Sequence, residues 1–213
     1  MADNYLERKF EEMRNPAKPK TIIRQVGKSL DTLLTQNRSC RGYDPSVIIS
    51  QELLQRIVAV NTKLASAKNQ QCLRFKLVTR ENGAEQVTEH IKLGALLPDL
   101  HLPFPGTEPP AYIIVCSTVP ENKMVDIDLG ISVQSMLLKA VELGLNGVII
   151  GAFNKQKITE LFQLPYEPLL LVAVGKGIER FQLKEIGEAE CHHYYREEGI
   201  QMVPKVRVED LFI

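Results

Sequence analysis

The sequence predicts an α+β sandwich, in which helices pack on a central sheet, and three observations support this fold class. Apolar residues first recur at helical spacing, and short β-branched runs of strand length then alternate with further helical segments. No regular series of strand–helix–strand units appears, so a doubly wound parallel sheet is not expected. The 213 residues, 44% of them hydrophobic, are enough to bury one core. We therefore expect one domain over residues 28–213, preceded by a helix and arm in residues 1–27.

Three helices are predicted in the first third of the chain. The first covers residues 4–14, because Asn4 and Glu7 have the spacing of a capping box and apolar residues follow at helical intervals. The second covers residues 29–36. The third begins after Ser50, whose side-chain oxygen can accept a hydrogen bond from a free N–H group of the first turn. These helices precede the first predicted strand.

Strands and helices alternate in the remainder of the chain. Apolar runs bounded by turn residues predict four strands, at residues 73–79, 111–117, 147–151 and 168–174. Helices are expected between them, near residues 84–93, over residues 126–143 and after Asn154. A loop rich in proline and glycine occupies residues 98–110, and a loop of this length can line a functional site.

The helix predicted over residues 126–143 is unusual because apolar side chains surround most of it. Its polar residues form one strip, made of Ser132, Ser135, Lys139 and Glu142. A surface helix of a monomer is normally apolar on one side only. We therefore expect this helix to be covered from two directions, the second cover being another subunit.

The composition excludes several classes of function. Basic residues (Lys, Arg) and acidic residues (Asp, Glu) each number 26, so electrostatic binding of nucleic acid by a broad basic surface is not expected. The apolar runs are far shorter than the roughly 20 residues that cross a bilayer, and the N-terminus has no hydrophobic leader. We predict a cytoplasmic protein without membrane contact. In a reducing compartment the four scattered cysteines, Cys40, Cys72, Cys116 and Cys191, remain thiols.

One segment departs from this neutral balance. Residues 14–41 contain seven basic residues and a single acid. At the end of the segment, Arg38, Ser39 and Arg41 offer two guanidinium groups and a hydroxyl, which suit a phosphate or another planar anion. The alternative is a solvated basic turn. The five other cations of the segment are interpreted as surface or interface charge.

Two further segments have the composition of a ligand site. Residues 66–71 place small and amide side chains between a predicted helix and a predicted strand. Amides can pair with the edge of a heterocycle, although a polar loop that ends a helix has the same composition. Ile150 and Gly151 end a buried strand, where backbone N–H groups could approach a flat ring without a side chain in the way. Together with the Arg38 segment they form a candidate site.

Other combinations of reactive residues carry less weight. Cys191, His192 and His193 are potential metal ligands, but neighbours on a strand point to opposite faces, and no second pair with zinc spacing is present. We therefore predict no metal, and keep a metal protein only as a third hypothesis. No catalytic triad can be assembled, so no catalytic residue is assigned. If the protein is an enzyme, a bound cofactor supplies the chemistry.

The order and spacing of five segments over residues 28–207 resemble the FMN-dependent nitroreductase family. The segments are Arg38-Ser39-x-Arg41, Ala65-Ser66-Ala67-x-Asn69-x-Gln71, Asp128-x-Gly130 before Gly144-Leu145, Ile150-Gly151 before Phe153, and Val203-Pro204-Lys205-x-Arg207. The resemblance implies an α/β/α sandwich with a mostly antiparallel central sheet. It also implies an intertwined homodimer with two FMN sites at the subunit interface.

The resemblance assigns FMN-binding roles residue by residue. The phosphate and the pyrimidine side of the flavin would be held by Arg38, Ser39 and Arg41. A second phosphate clamp would be formed by Lys205 and Arg207. The segment that reaches the flavin from the partner subunit would be Ala65, Ser66, Ala67 and Asn69. The strand end against the ring, near N5, would be Ile150 and Gly151.

The activity implied by the resemblance is hydride transfer from NADH or NADPH, through FMN N5, to a nitroaromatic, quinone or similar acceptor. The alternative is a protein that binds or stores flavin or a nucleotide on the same scaffold without turnover. The sequence departs from the family pattern at Asn37, where a basic residue is usual, at Ala65, where proline is common, and at Cys72-Leu73, where Pro-Trp is usual. These changes loosen a turn and its packing but leave the cationic and amide contacts.

Overall fold

The computed structural model describes residues 27–213, so the helix predicted over residues 4–14 lies outside the described part of the chain. The helices of this part are α1 (Leu30–Gln36), α2 (Gln51–Val58), α3 (Ala84–Thr88), α4 (Lys123–Glu142) and α5 (Lys155–Phe162). The strands are β1 (Leu73–Thr79), β2 (Ala111–Ser117), β3 (Asn146–Ile150), β4 (Glu167–Gly175), β5 (Arg180–Ile186), β6 (Tyr195–Glu197) and β7 (Ile200–Val206). The predicted α+β class is confirmed.

The central sheet has the strand order β1-β2-β4-β3, and every neighbouring pair is antiparallel. Strand β2 is buried throughout, and its alternate side chains enter two different cores because successive residues of a strand point to opposite faces. Ile113 packs in a core with α2 and α4, whereas Ile114 packs in a core that includes Ile158 of α5. Helices therefore cover both faces of the sheet.

Helix α4 is the longest element and begins three residues earlier than predicted. The side-chain oxygen of Asn122 accepts hydrogen bonds from the N–H groups of Met124 and Val125, at 3.0 and 3.3 Å, which fixes the start of the helix. One residue of the polar strip, Ser132, is buried and donates to Asn61 Oδ1 at 2.6 Å. Polarity at this position serves a buried hydrogen bond, and periodicity alone does not distinguish that case from exposure.

One exposed stripe of α4 is largely apolar. Met124, Ile127 and Ile131 are 45%, 47% and 38% exposed, and Gln134 continues the same line. Their spacing of three or four residues places them on one stripe of the helix. We call this line of side chains the α4 stripe.

A second, three-stranded sheet follows the central one and was not predicted. Its order is β5-β7-β6, with β5 parallel to β7 and β6 antiparallel to it. Most side chains of β5 are exposed, so the strand lacks the apolar signal that marked the central strands. None of the helices within residues 27–213 combines the length and the hydrophobicity that a membrane span requires.

Candidate functional site

The segment from Arg38 to Arg41 is fixed against the edge of the central sheet. Ser39 forms an isolated parallel bridge with Gly147 of β3, and the Cys40 N–H donates to the Gly147 carbonyl at 3.1 Å. The buried Tyr43 hydroxyl donates to the Cys40 carbonyl at 2.6 Å. Gly147 itself is required by the pairing of β3 with β4, because a Cβ there would lie 2.5 Å from the Ala173 carbonyl oxygen. The backbone of the cationic segment is therefore held on both sides.

A cavity of about 400 Å³, which we call the cationic cavity, opens beside this segment. It lies between the segment, α4, β3 and the second sheet, and is lined by Asn37, Arg38, Ser39, Arg41, Gln134, Leu137, Gly147, Ile149, Phe181, Tyr194, Gln201, Val203 and Lys205. Three of these residues are cations and none is a carboxylate. The lining thus favours an anionic ligand, since a phosphate would form charge-assisted hydrogen bonds without meeting a like charge.

Arg38 has hydrogen-bonding capacity left for such a ligand. One of its terminal nitrogens, Nη2, donates to the Leu34 carbonyl, but the buried Nε has no hydrogen-bond partner among residues 27–213. Burial lowers the pKa of the guanidinium from its ordinary value. A buried donor without a partner is costly, so a phosphate oxygen at Nε would satisfy a group that the chain leaves open.

Arg41 is held more completely. Its guanidinium lies 4.8 Å from the centroid of the Tyr194 ring, and Nη1 donates to the Ser39 carbonyl at 3.0 Å. Its backbone N–H donates to Glu179 Oε2. The cation–π contact leaves the edge of the guanidinium available to a ligand while fixing its plane.

The two predicted C-terminal cations have different surroundings. Lys205 lies on β7, is exposed and lines the cationic cavity. Arg207 follows the strand and forms two hydrogen bonds with Asp210 Oδ2, at 3.2 and 3.1 Å. It is absent from the cavity lining, so its role in a phosphate clamp stays a prediction and would require this exposed ion pair to open.

The small and amide residues lie at a second cavity. This cavity, of about 420 Å³, is lined in part by Ala65, Ser66 and Asp128. The Ala67 N–H donates to Asp128 Oδ1 at 2.8 Å, which ties the loop to α4. Asn69 is exposed, at a φ of 52°. The two cavities have no lining residue in common, so one chain does not bring these residues to Arg38 and Arg41.

The predicted strand end is divided between the core and the surface. The Ile150 side chain is 2% exposed and belongs to the core that contains Ile158, whereas Gly151 is exposed. The residue before them, Ile149, is 41% exposed and lines the cationic cavity. Sequence reasoning missed Ile149, although the alternation of side chains along a strand gives that signal once the buried face is known. A backbone role for Ile150 stays a prediction.

Aromatic and amide residues of the cavity were also missed. Phe181 and Gln201 lie on the second sheet and Tyr194 directly precedes its strand β6, in a region that no periodic pattern indicated. The potential metal ligands Cys191, His192 and His193 belong to no cluster in the described part of the chain, where no group of three or more His, Cys, Asp or Glu side chains could hold a metal ion. Instead, His192 Nε2 lies 2.9 Å from the Glu188 carbonyl oxygen.

Comparison with known proteins gives consistent matches. The sequence model of the nitroreductase family matches residues 34–99 and 103–176. A Bacillus subtilis (strain 168) protein, YdgI, that carries the name of an NAD(P)H nitroreductase is 26% identical over 183 residues, which cover 69% of this chain and 88% of that protein.

Two solved structures share the fold. A nitroreductase family protein from Clostridium difficile 630 has a TM-score of 0.57 and 24% identity, covering 71% of this chain and 86% of that one. A protein from Exiguobacterium sibiricum 255-15, described as a nitroreductase and solved in complex with FMN, has a TM-score of 0.59 and 21% identity, covering 74% of this chain and 92% of that one. The predicted α/β/α sandwich with an antiparallel central sheet is confirmed.

Proposed function

The chain belongs to the nitroreductase family, and from this premise we propose that it is an FMN-dependent oxidoreductase with its flavin phosphate in the cationic cavity. The observation that carries the proposal is the lining of that cavity by described residues, which includes three cations, no carboxylate and Arg38, whose Nε has no hydrogen-bond partner among residues 27–213. These residues fit a phosphorylated flavin. Arg38, Ser39, Arg41 and Lys205 would hold the phosphate and the polar edge of the ring, and Phe181 and Tyr194 offer apolar surface.

Bound FMN would supply the capacity to accept a hydride from NADH or NADPH and to pass electrons to an acceptor. The chain's own residues would bind and orient the flavin and polarise its ring. Arg41, fixed by its contact with Tyr194, supplies positive charge that favours an anionic reduced ring. Nitroaromatics, quinones and similar small molecules are the proposed acceptors, and the cytoplasm is the proposed location.

We also propose that the working form is a homodimer. Ile131, in the α4 stripe, lines the second cavity, while Gln134, one turn further, lines the cationic cavity. A second copy packed on the stripe would cover its exposed apolar side chains, whose burial is favourable. It would also place Ala65, Ser66, Ala67 and Asn69 of one protomer near the cationic cavity of its partner. The homodimer would thus join two groups of site residues that one chain keeps apart.

Spectroscopy of the purified full chain tests the function. We expect the protein to take up FMN, to absorb at about 450 nm as oxidised flavins do, and to lose this band when NADH or NADPH is added without oxygen. Addition of a quinone should then restore the band. A protein that takes up no FMN would contradict the proposal. A protein that holds FMN but leaves the band unchanged with both donors would instead be the non-catalytic binding protein.

A further inference from the structure

Given the FMN site proposed above, on which this inference rests, we propose that Glu179 is a positioning residue that holds Arg41 at the cationic cavity. Glu179 and its ion-pair partner Arg196 lie behind the cavity and are not part of its lining. Both lie between β4 and β7, a region in which the sequence predicts no site residue.

The Glu179 carboxylate uses both oxygens to join two parts of the chain. Oε2 accepts the backbone N–H of Arg41, and Oε1 accepts Nη2 of Arg196. The Glu179 side chain is only 8% exposed. A buried carboxylate is costly unless it is paired and hydrogen-bonded, and here both conditions are met. The ion pair therefore depends on the Glu179 carboxylate, the Arg41 N–H and the Arg196 guanidinium remaining together.

Arg196 extends the connection to the cavity wall. Its Nε donates to Gln201 Oε1 at 3.4 Å, and Gln201 in turn donates to the Tyr195 carbonyl at 3.1 Å. Gln201 is 2% exposed and lines the cationic cavity. The Arg196 guanidinium also lies 5.7 Å from the centroid of the Phe104 ring, in the loop of residues 98–110. One ion pair thus links the cationic segment, the second sheet and the long loop.

The same pair controls both sides of the Arg41 guanidinium. Glu179 fixes the backbone from which Arg41 projects, and Arg196 fixes the strand that follows Tyr194, whose ring contacts the guanidinium. If the pair is broken, the Arg41 cation should move relative to the flavin. Loss of one charge-assisted hydrogen bond corresponds to about ten- to hundredfold in affinity. Because Arg41 would stabilise the anionic reduced ring, its displacement should also lower the flavin midpoint potential.

The experiment measures the FMN dissociation constant and the midpoint potential of bound FMN in matched variants. Glu179→Ala should weaken FMN binding about ten- to hundredfold and lower the potential. In Glu179→Gln the amide oxygen can still accept the Arg41 N–H, but the amide leaves the Arg196 charge without a counterion. This variant should therefore also bind FMN more weakly than the wild type, and adding Arg196→Gln should recover part of the lost affinity. Glu197→Gln, which removes an exposed carboxylate of β6, should match the wild type.

A double variant separates positioning from general stability. If Glu179 acts through Arg41, Glu179→Ala should shift the midpoint potential little further when Arg41 is already alanine. Equal shifts in both backgrounds, or wild-type affinity and potential in the Glu179 variants, would overturn the assignment. If Glu179→Ala does not fold, Glu179→Gln and the Gln/Gln double variant still decide the question.

Hydrogen exchange in flavin-free protein gives a readout that does not require FMN. The Arg41 amide should exchange slowly in the wild type and in Glu197→Gln, and at least tenfold faster in Glu179→Ala, because its acceptor is lost. Unchanged exchange would overturn the positioning role even if FMN binds. Failure of the wild type to take up FMN, with slow exchange at Arg41, would contradict the proposed function and leave the contact established.

Discussion

At the scale of single residues, the cationic segment depends on two buried residues, one within it and one just after it, that do not line the cavity. The Cys40 side chain is fully buried, and its Sγ donates to the Gly42 carbonyl at 3.2 Å. Burial, with the nearby Glu179 carboxylate, raises the pKa of the Cys40 thiol to about 12. The Tyr43 hydroxyl is buried as well, and burial raises its pKa well above the ordinary value. Both groups therefore remain neutral at physiological pH.

The thiols of the chain should consequently differ in reactivity. At pH 8 a thiol with a pKa of about 12 is ionised to about one part in ten thousand, and the thiolate is the nucleophile. Burial also raises the pKa of Cys116, to about 11. We expect iodoacetamide to modify the exposed Cys191 in the native protein and to leave Cys40 and Cys116 unmodified, as measured by peptide mass spectrometry.

The same shift predicts how stability varies at alkaline pH. Folding raises the pKa of the Cys40 thiol. The contribution of the neutral thiol to the free energy of unfolding is therefore fully present below the ordinary pKa of 9.0 and is lost as the pH rises toward about 12. Between pH 9 and pH 12 the free energy of unfolding of Cys40→Ala, measured by denaturant titration, should therefore fall less steeply with pH than that of the wild type. Rapid native labelling of Cys40 at pH 8, or equal slopes for the two proteins, would contradict the assigned burial.

At the scale of elements, the central sheet was predictable and the second sheet was not. Strand β2 is buried at every position because it is covered on both faces, and its nearly continuous apolar run is recognisable as a strand in the sequence. Strand β5 has mostly exposed side chains, and its pairing with β7 depends on backbone hydrogen bonds that any sequence can make. The cations at positions 38 and 41 are predicted by charge type and by family resemblance, and the cation at position 205 by the resemblance alone. Glu179, Tyr194 and Gln201 were missed because their roles arise from tertiary contacts.

The α4 stripe gives a prediction at this scale. A carboxylate in place of Ile131 should disrupt the proposed dimer, since charge would then be buried in an apolar interface without a partner. We expect Ile131→Glu to shift the mass from dimer to monomer in analytical ultracentrifugation and to weaken FMN binding. Leu161→Glu is a matched control because Leu161 has the same exposure, 39% against 38%, on α5 at the other face of the sheet. A wild type that is monomeric, or an Ile131→Glu variant that remains dimeric, would contradict the interface.

At the scale of the whole molecule, a chain with a formal net charge of zero brings three cations together at one cavity. Of the basic segment, Arg38 and Arg41 line the cationic cavity, whereas Lys28 donates to the Val141 carbonyl near the C-terminus of α4, at 3.1 Å. A cation there is favoured by the helix dipole, so Lys28 has a structural role instead of a ligand. Lys205, distant in sequence, completes the cavity charge. Attraction for an anion should thus be confined to this site and sensitive to salt.

This local charge predicts that the protein recognises the phosphate of the flavin more than its ring. At a concentration 100 times its dissociation constant, a ligand stabilises the native state by about 2.7 kcal/mol, which corresponds to a rise in Tm of roughly 5–10 °C for a chain of this size. We expect FMN to produce such a rise in a thermal-shift assay.

Riboflavin, which has the same ring without the phosphate, should produce a much smaller rise in Tm than FMN, and the difference should shrink as sodium chloride is added. In Arg38→Ala the extra rise in Tm that FMN gives over riboflavin should fall, because the guanidinium is removed with its charge and with the Nε that has no partner among residues 27–213. Lys157→Ala, which removes an exposed cation of α5, should preserve that advantage. Equal stabilisation by riboflavin and FMN in the wild type would mean that the three cations do not bind the phosphate, and the cationic cavity would then lose its assignment.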